Sequence, residues 1–426
     1  MKTEALHQLF LESNGICTDT RKVTKNCIFF ALTGDNFNGN TFAEEALQKG
    51  AVRVVIDEAK FHKDTGQTIL CENVLQQLQK LANYHRNYLA TEIIALTGSN
   101  GKTTTKELIN AVLATTYNTT ATVGNLNNHI GVPLTLLSMT TETELGIVEM
   151  GANHLKEIEQ LCAIAQPDYG YITNFGKAHL EGFGSVEGVI KGKSELYTHL
   201  QKNNKMAFVN SNDPKQVDIA KPLTKYTFGD THQDCNLKLV DASANLRVQY
   251  QDQEICSNLV GLYNFHNIAA AIAIGQYFKV SPENIKKAIE GYVPQNNRSQ
   301  LIEQHGHTIL LDAYNANPTS MLAALENFQQ AEGTDKIMIL GDMFELGHSS
   351  ETEHQLITDF LSENDFGRVY LVGENFSKTK TEVSHISKHN TFDALEKELK
   401  NYPISKSTIL IKGSRGMALE RVLKIL

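Results

Sequence analysis

Residues 95–109 read ALTGSNGKTTTKELI. An apolar run ends at Thr97. Gly98 and Gly101 follow, then Lys102, three threonines and a helical pattern. The usual phosphate loop is G-x-x-x-x-G-K-[ST]. Gly101, Lys102 and Thr103 supply the end of that pattern, but its first glycine belongs at position 96, which is Leu96. Gly98 stands in, giving the shortened form G-x-x-G-K-T. The physical requirement is still met. A strand ends, glycines let backbone N–H groups turn inward, and a helix N-terminus faces the bound anion. Lys102 is then placed for the β- and γ-phosphates and the Thr103 hydroxyl for Mg²⁺. The competing reading is a plain glycine turn ahead of a helix.

The chain on either side supports an α/β protein. Between 84 and 295, EIIALT, LGIVEM and DYGYITN are nearly continuous apolar runs. Such runs are expected of strands covered on both faces. LRVQYQ alternates instead, which predicts antiparallel strands between 235 and 260. NIAAAIAIGQYF and PENIKKAIEGY read as helices. In residues 1–83, CIFFAL and VRVVI read as strands, and TFAEEALQKG as a helix closed by Gly50. A further helix around NVLQQLQKLANYHRNYL leads into the next block. Residues 296–426 begin within PQNNRSQ, the expected hinge. TILLDAY, KIMILGD, RVYLVG and STILIKG follow, each with a helical segment after it. Four strand-then-helix units predict a doubly wound α/β domain.

The totals exclude several classes. With 426 residues, two or three domains are expected. A net charge of −9 gives a general nucleic-acid role no electrostatic support. No apolar run is long enough to span a membrane, and MKTEALHQLF does not read as a signal peptide. The six cysteines are scattered without a CxxC, as expected of reduced thiols in the cytoplasm.

Several polar residues sit where the pattern predicts a crevice. Glu149 ends LGIVEM, at the carboxyl end of a strand, and its oxygens suit Mg²⁺. Asn174 ends another strand, with His179 five residues on. Val186, Val189, Ile190, Leu196, Tyr197 and Leu200 form an apolar helical stripe, and Lys193 falls on it. A lysine there either snorkels outward or is desolvated, with a depressed pKa. Asn264 and Asn267 flank a helix start, where they bond a purine edge or cap the helix. Asp312, Asn315 and Asn317 lie at one strand-to-helix crossing. Asp342, Lys412 and Arg415 lie at similar crossings, so the third domain is expected to face a ligand.

TGSNGKTTTKEL, VEMGANHLKEI, ITNFGKAHLEGFGS, KGKSEL, DAYNANPTSM, GDMFELG and KGSRGMALERV together resemble the Mur ligases of peptidoglycan synthesis. The resemblance covers nearly the whole chain, in order, and the shortened loop with Leu96 is in line with it. YNANP, GDMFELG and KGSRG are the more specific signals, for the member that adds D-alanyl-D-alanine. The resemblance implies three domains: a small α/β UDP-sugar domain (1–83), a central phosphate-loop ATPase domain with a mostly parallel sheet (84–295) and a C-terminal Rossmann-like domain (296–426). It implies a cytoplasmic enzyme, expected as a monomer, without nucleic-acid or membrane partners. ATP would phosphorylate the terminal carboxylate of UDP-MurNAc-tripeptide, and the amine of D-Ala-D-Ala would attack the acyl phosphate.

Carried over by position, Gly98, Ser99, Asn100, Gly101, Lys102, Thr103, Thr104, Asn267, Arg298 and Asp312 serve ATP. Thr103, Glu149, His179 and Lys193 as a carbamate serve the metal, and Lys102, Lys193 and His179 the catalysis. Thr20, Arg21, Asn127, Asn128, Asn174, Tyr314, Asn315, Asn317 and Arg415 are the expected substrate contacts. The chain departs from the family at Asn38-Gly39-Asn40, where D-G-H is common, and at Tyr263, where many members have histidine. The alternatives are another ligase of the family, such as the diaminopimelate-adding enzyme, and a nucleotide switch without ligase activity.

Overall fold

A computed structural model describes residues 1–426 except 64, 296, 332 and 334. Asn296, within the expected hinge, therefore lies outside the described residues.

The strand Glu92–Thr97 organises the centre. Ile93 to Thr97 are all buried. Ile94 and Leu96 face one apolar cluster and Ile93 and Ala95 the other, so the run has no polar face. Leu145–Glu149 pairs with it in parallel on one side and Tyr169–Ile172 on the other. The chain first reaches the edge strand Thr119–Ala121, returns to Leu145–Glu149, and then crosses over to Tyr169–Ile172. The order thus reverses at the carboxyl end of Glu92–Thr97, where such sheets bind ligands. Met206–Asn210, Thr224–Gly229 and Cys235–Asp241 extend the sheet in parallel. Asn245–Tyr250 and Gln253–Val260 complete nine strands and are antiparallel, as the alternating pattern predicts.

Helices cover both faces. Lys102–Leu113 packs with Tyr263–Tyr277 and Pro282–Gly291 on one side. Val74–Leu89, Gly131–Leu137, Glu157–Ala165 and Val186–Lys202 lie on the other.

At the N-terminus, Ile16–Cys17, Ile28–Phe30, Arg53–Ile56 and Thr68–Leu70 form a small parallel sheet. The helix Ala43–Gln48 ends before Gly50, whose φ of +109° suits a residue without a Cβ. The helix Val74–Leu89 runs through the expected boundary at 83/84. It packs on Thr3–Leu11 as well as on Gly131–Leu137 and Glu157–Ala165, so the first two blocks share it.

The C-terminal sheet contains the four expected strands, His307–Asp312, Lys336–Gly341, Arg368–Val372 and Thr408–Lys412. Two edge strands add to them, Gln300–Gln304 and Ile386–His389. Neither carries an apolar run, because an edge strand is half solvated. The last expected helix is replaced by two short 3-10 turns, Arg415–Met417 and Leu419–Lys424. Among the described residues no helix is long and apolar enough to cross a membrane.

Candidate functional site

A cavity of about 520 Å³ opens between the central and C-terminal domains, over the strand ends just described. The loop after Thr97 forms its floor. Gly98 has φ +144°, and a Cβ there would lie 2.0 Å from Thr173 Oγ1. Gly101 has φ +80°, and its Cβ would lie 2.5 Å from Asn267 Oδ1. Only glycine fits either position. Leu96, by contrast, is a fully buried residue of the strand itself, before the loop begins.

The central domain braces this loop tightly. The Ser99 N–H donates to the Asn174 carbonyl (3.0 Å) and the Ser99 hydroxyl to the Gly176 carbonyl (2.9 Å). The Asn100 N–H donates to Asn174 Oδ1 (3.0 Å). Its carbonyl accepts the Thr173 hydroxyl (2.6 Å) and Asn174 Nδ2 (3.0 Å). The Asn174 side chain, an expected substrate contact, is thus engaged as a loop brace. Lys102 Nζ donates to the carbonyls of Gly98 (2.7 Å) and Ser99 (3.3 Å). Desolvation pushes its pKa below the ordinary lysine range.

Glu149 reaches the loop because its strand pairs Glu149 with Leu96. Its side chain is buried, and Oε1 accepts the Thr103 hydroxyl (3.3 Å) and Asn127 Nδ2 (2.7 Å). Oε2 is buried without a protein partner. An orphaned carboxylate oxygen beside a threonine hydroxyl is a donor set that fits Mg²⁺. No three His, Cys, Asp or Glu side chains gather to hold a metal among the described residues. His179 lines the same cavity, but its Nδ1 lies 2.5 Å from Glu345 Oε2 of the C-terminal domain. His179 holds the Glu345 carboxyl below its usual range.

Lys193 is fully buried in the helix Val186–Lys202. Its amine donates to the Ala152 carbonyl (2.9 Å) and lies 5.1 Å from the centre of the Phe183 ring. Burial first, and the charge of Lys102 second, hold its pKa well below that of an ordinary lysine. The apolar stripe anticipated this placement.

The C-terminal domain forms the roof. The Arg298 guanidinium stacks on Tyr314, 3.6 Å from the ring centre, and its Nε is buried without a partner. Parallel pairing sets Asp312 beside Lys412. Asp312 accepts Lys412 Nζ (2.5 Å) and the Ser299 N–H (3.2 Å). Asn315 lines the cavity. Asn317 caps the helix Pro318–Gln330 and donates to Asn100. Asn267 accepts the Thr105 hydroxyl (2.9 Å) and donates to Asn264 (2.8 Å), so most of its amide is engaged beneath Gly101. Thr104 also lines the cavity, as does Asn128, whose side chain caps the N–H groups of Ile130 and Gly131.

Four residues named from the sequence take no part in this cavity. Arg415 lies off this cavity and pairs with Glu420 (2.8 Å). Thr20 and Arg21 sit on a 3-10 turn of the N-terminal domain, also away from it. Arg21 is exposed there and bound to Asp19, whose carboxyl is lowered to about 2. Asp342 is spent structurally, its buried oxygens accepting the N–H groups of Asn375 and Phe376. Glu345 was not singled out from the sequence. Its approach to His179 depends on how two domains meet, which no local pattern encodes.

Three α/β domains, a shortened phosphate loop and an unsatisfied carboxylate under a second domain's roof define an enzyme of the phosphate-loop nucleotide class. Models of the Mur ligase catalytic, middle and glutamate ligase domains match residues 12–86, 96–275 and 297–415. The chain belongs to the Mur ligase family. It is 36% identical, over 96% of its length and 92% of the relative's, to UDP-N-acetylmuramoyl-tripeptide--D-alanyl-D-alanine ligase of Bacillus subtilis. The crystal structure of MurF from Acinetobacter baumannii superposes with a TM-score of 0.87 at 29% identity, covering 99% of this chain and 98% of that one. MurF ligase from Thermotoga maritima in complex with ADP gives 0.84 at 26% identity, with 97% of both chains covered.

Proposed function

We infer that the chain ligates D-alanyl-D-alanine to UDP-N-acetylmuramoyl-tripeptide at the expense of ATP, giving the pentapeptide, ADP and phosphate. The observation that carries this reading is the end-to-end similarity to a ligase of that name. The phosphate loop and its roof support it. ATP lies on Gly98 to Thr104, with Lys102 against the transferring phosphoryl group and Arg298, Asp312 and Asn267 around the rest of the nucleotide. Mg²⁺, held by Glu149 and Thr103 with His179 near, would neutralise charge on the phosphates. Burial favours the neutral amine of Lys193, the form that can take up CO₂. The resulting carbamate would bring two oxygens and a negative charge behind Ala152, which lines that cavity. Tyr314 and Asn315 face the peptide end. Thr20 and Arg21 hold the UDP-sugar. The roof excludes water from the acyl phosphate, which would otherwise hydrolyse. The enzyme works as a cytoplasmic monomer.

The test is phosphate release by purified protein with UDP-MurNAc-tripeptide and ATP. Release should require D-Ala-D-Ala. Release with diaminopimelate and the dipeptide precursor instead would favour the diaminopimelate-adding alternative. Release that ignores both would favour a nucleotide switch. Running tripeptides that end in diaminopimelate and in lysine side by side identifies the native third residue.

A further inference from the structure

Asn317 is almost fully buried and almost fully used. Its Oδ1 accepts the Ser320 N–H (3.0 Å) and so caps the helix Pro318–Gln330. Its Nδ2 donates to Asn100 Oδ1 at 2.7 Å, and Asn100 Nδ2 approaches its Oδ1 at 3.4 Å. Two amides from different domains therefore meet face to face. A primary amide offers two N–H donors and one carbonyl oxygen. The cap and Asn100 engage the oxygen and one donor, which leaves little for a substrate.

The partner lies in the phosphate loop. The backbone of Asn100 is fixed by Thr173 and Asn174, within the central domain. Among the described residues its side chain is hydrogen-bonded only from the C-terminal domain. The same helix turn makes a second contact, where Thr319 Oγ1 accepts the Lys177 N–H (2.9 Å). A Cβ at Gly176 would come within 3.0 Å of Asn100 Nδ2 and 3.1 Å of Thr319 Oγ1. Ser99 in turn ties the two loops together through the Gly176 carbonyl. The first turn of Pro318–Gln330 is thus seated on both loops of the central domain at once.

We propose that Asn317 is a positioning residue whose amide clasps Asn100 as the C-terminal domain closes, fixing the Asn100 side chain on the phosphate loop in the orientation that holds nucleotide. Closure and nucleotide binding then favour each other equally, as linkage requires. The proposal rests on the reading of the loop as the ATP site.

The test is calorimetric binding of Mg·ADP to the full chain, together with the KM for D-Ala-D-Ala at saturating ATP. Asn317→Ala and Asn100→Ala should each weaken ADP binding about five- to tenfold, the worth of a buried neutral hydrogen bond. The double variant should be no weaker than either single. The KM for the dipeptide should stay within about twofold. Asn317→Ser keeps a helix-capping hydroxyl but is too short to reach Asn100. It should lose ADP affinity like Asn317→Ala while melting like the parent. If Asn317→Ser binds ADP normally, the effect of alanine is a lost cap and the proposal fails. It also fails if the single losses multiply in the double variant, or if the dipeptide KM rises while ADP affinity holds. A parent chain that binds no ADP would instead overturn the nucleotide reading.

Discussion

Lys193 is held in the interior with only a backbone carbonyl at its amine. A charged ammonium is costly there, so the neutral form is favoured. Lys193→Ala should be nearly inactive, and acetate or formate should restore part of the activity by replacing the carbamate's oxygens. Full activity in the unsupplemented variant would refute the assignment. Lys102→Ala should stay folded and lose about a hundredfold or more in turnover, as when one direct charge on a transferring group is removed. Near-normal ligation would end the phosphate-loop reading. Glu149→Ala should raise the Mg²⁺ concentration needed for half-maximal rate by roughly tenfold or more. His179→Ala should raise it less. These residues were legible because each breaks a local pattern: a lysine on an apolar stripe, a carboxylate at the end of an apolar strand. The engagement of Asn174, Asn267 and Asn317 by other asparagines was not legible, since an amide's partner depends on tertiary geometry.

Between elements, the first helix, Thr3–Leu11, docks on Val74–Leu89 through two buried histidines. His85 Nε2 must donate to the Met139 carbonyl (3.0 Å), so its Nδ1 accepts from His7 Nε2 (3.0 Å). His7 Nδ1 is left bare and without a partner. This pairing favours neutral imidazoles, and burial lowers both pKa values from 6.5. The unfolded chain takes up protons first as pH falls. The docking is thus fully stable above about pH 6.5 and weakens progressively below it. Protection factors of residues 3–11, corrected for intrinsic exchange, should fall between pH 7.5 and 5.5. His7→Phe, which suits the ring cluster of Phe10, Tyr84 and Tyr88, should flatten that dependence. A slope unchanged in His7→Phe would rule the pair out as its origin. The buried strands and the antiparallel run after 235 were readable from their periodicity. The edge strands Gln300–Gln304 and Ile386–His389 were not, because half-solvated strands carry no apolar signal.

At the scale of the molecule, the roof is fastened to the central domain by Lys177 with Glu353 (2.6 Å), His179 with Glu345, and Asn317 with Asn100. ATP and the UDP-sugar together should hold more of the population in this compact form. Small-angle scattering should show a smaller radius of gyration with both ligands than without. An unchanged radius would count against closure, unless the free chain is already compact by the same measurement. The order of the three domains was legible from their motifs. The helix joining the first two was legible as well, since its periodicity runs on through 83/84, but its packing on both was not. The helix Val74–Leu89 gives that join a mechanical meaning. It passes as one rigid shaft from the N-terminal sheet into the central layers, whereas no helix or strand spans the described residues between Gly291 and Gln300. One helix shared by the first two blocks, and none linking them to the third, predicts two bodies: an arm and a jaw that moves against it. Fluorophore pairs within the arm should keep their spacing on ligand binding, while pairs from arm to jaw should shorten.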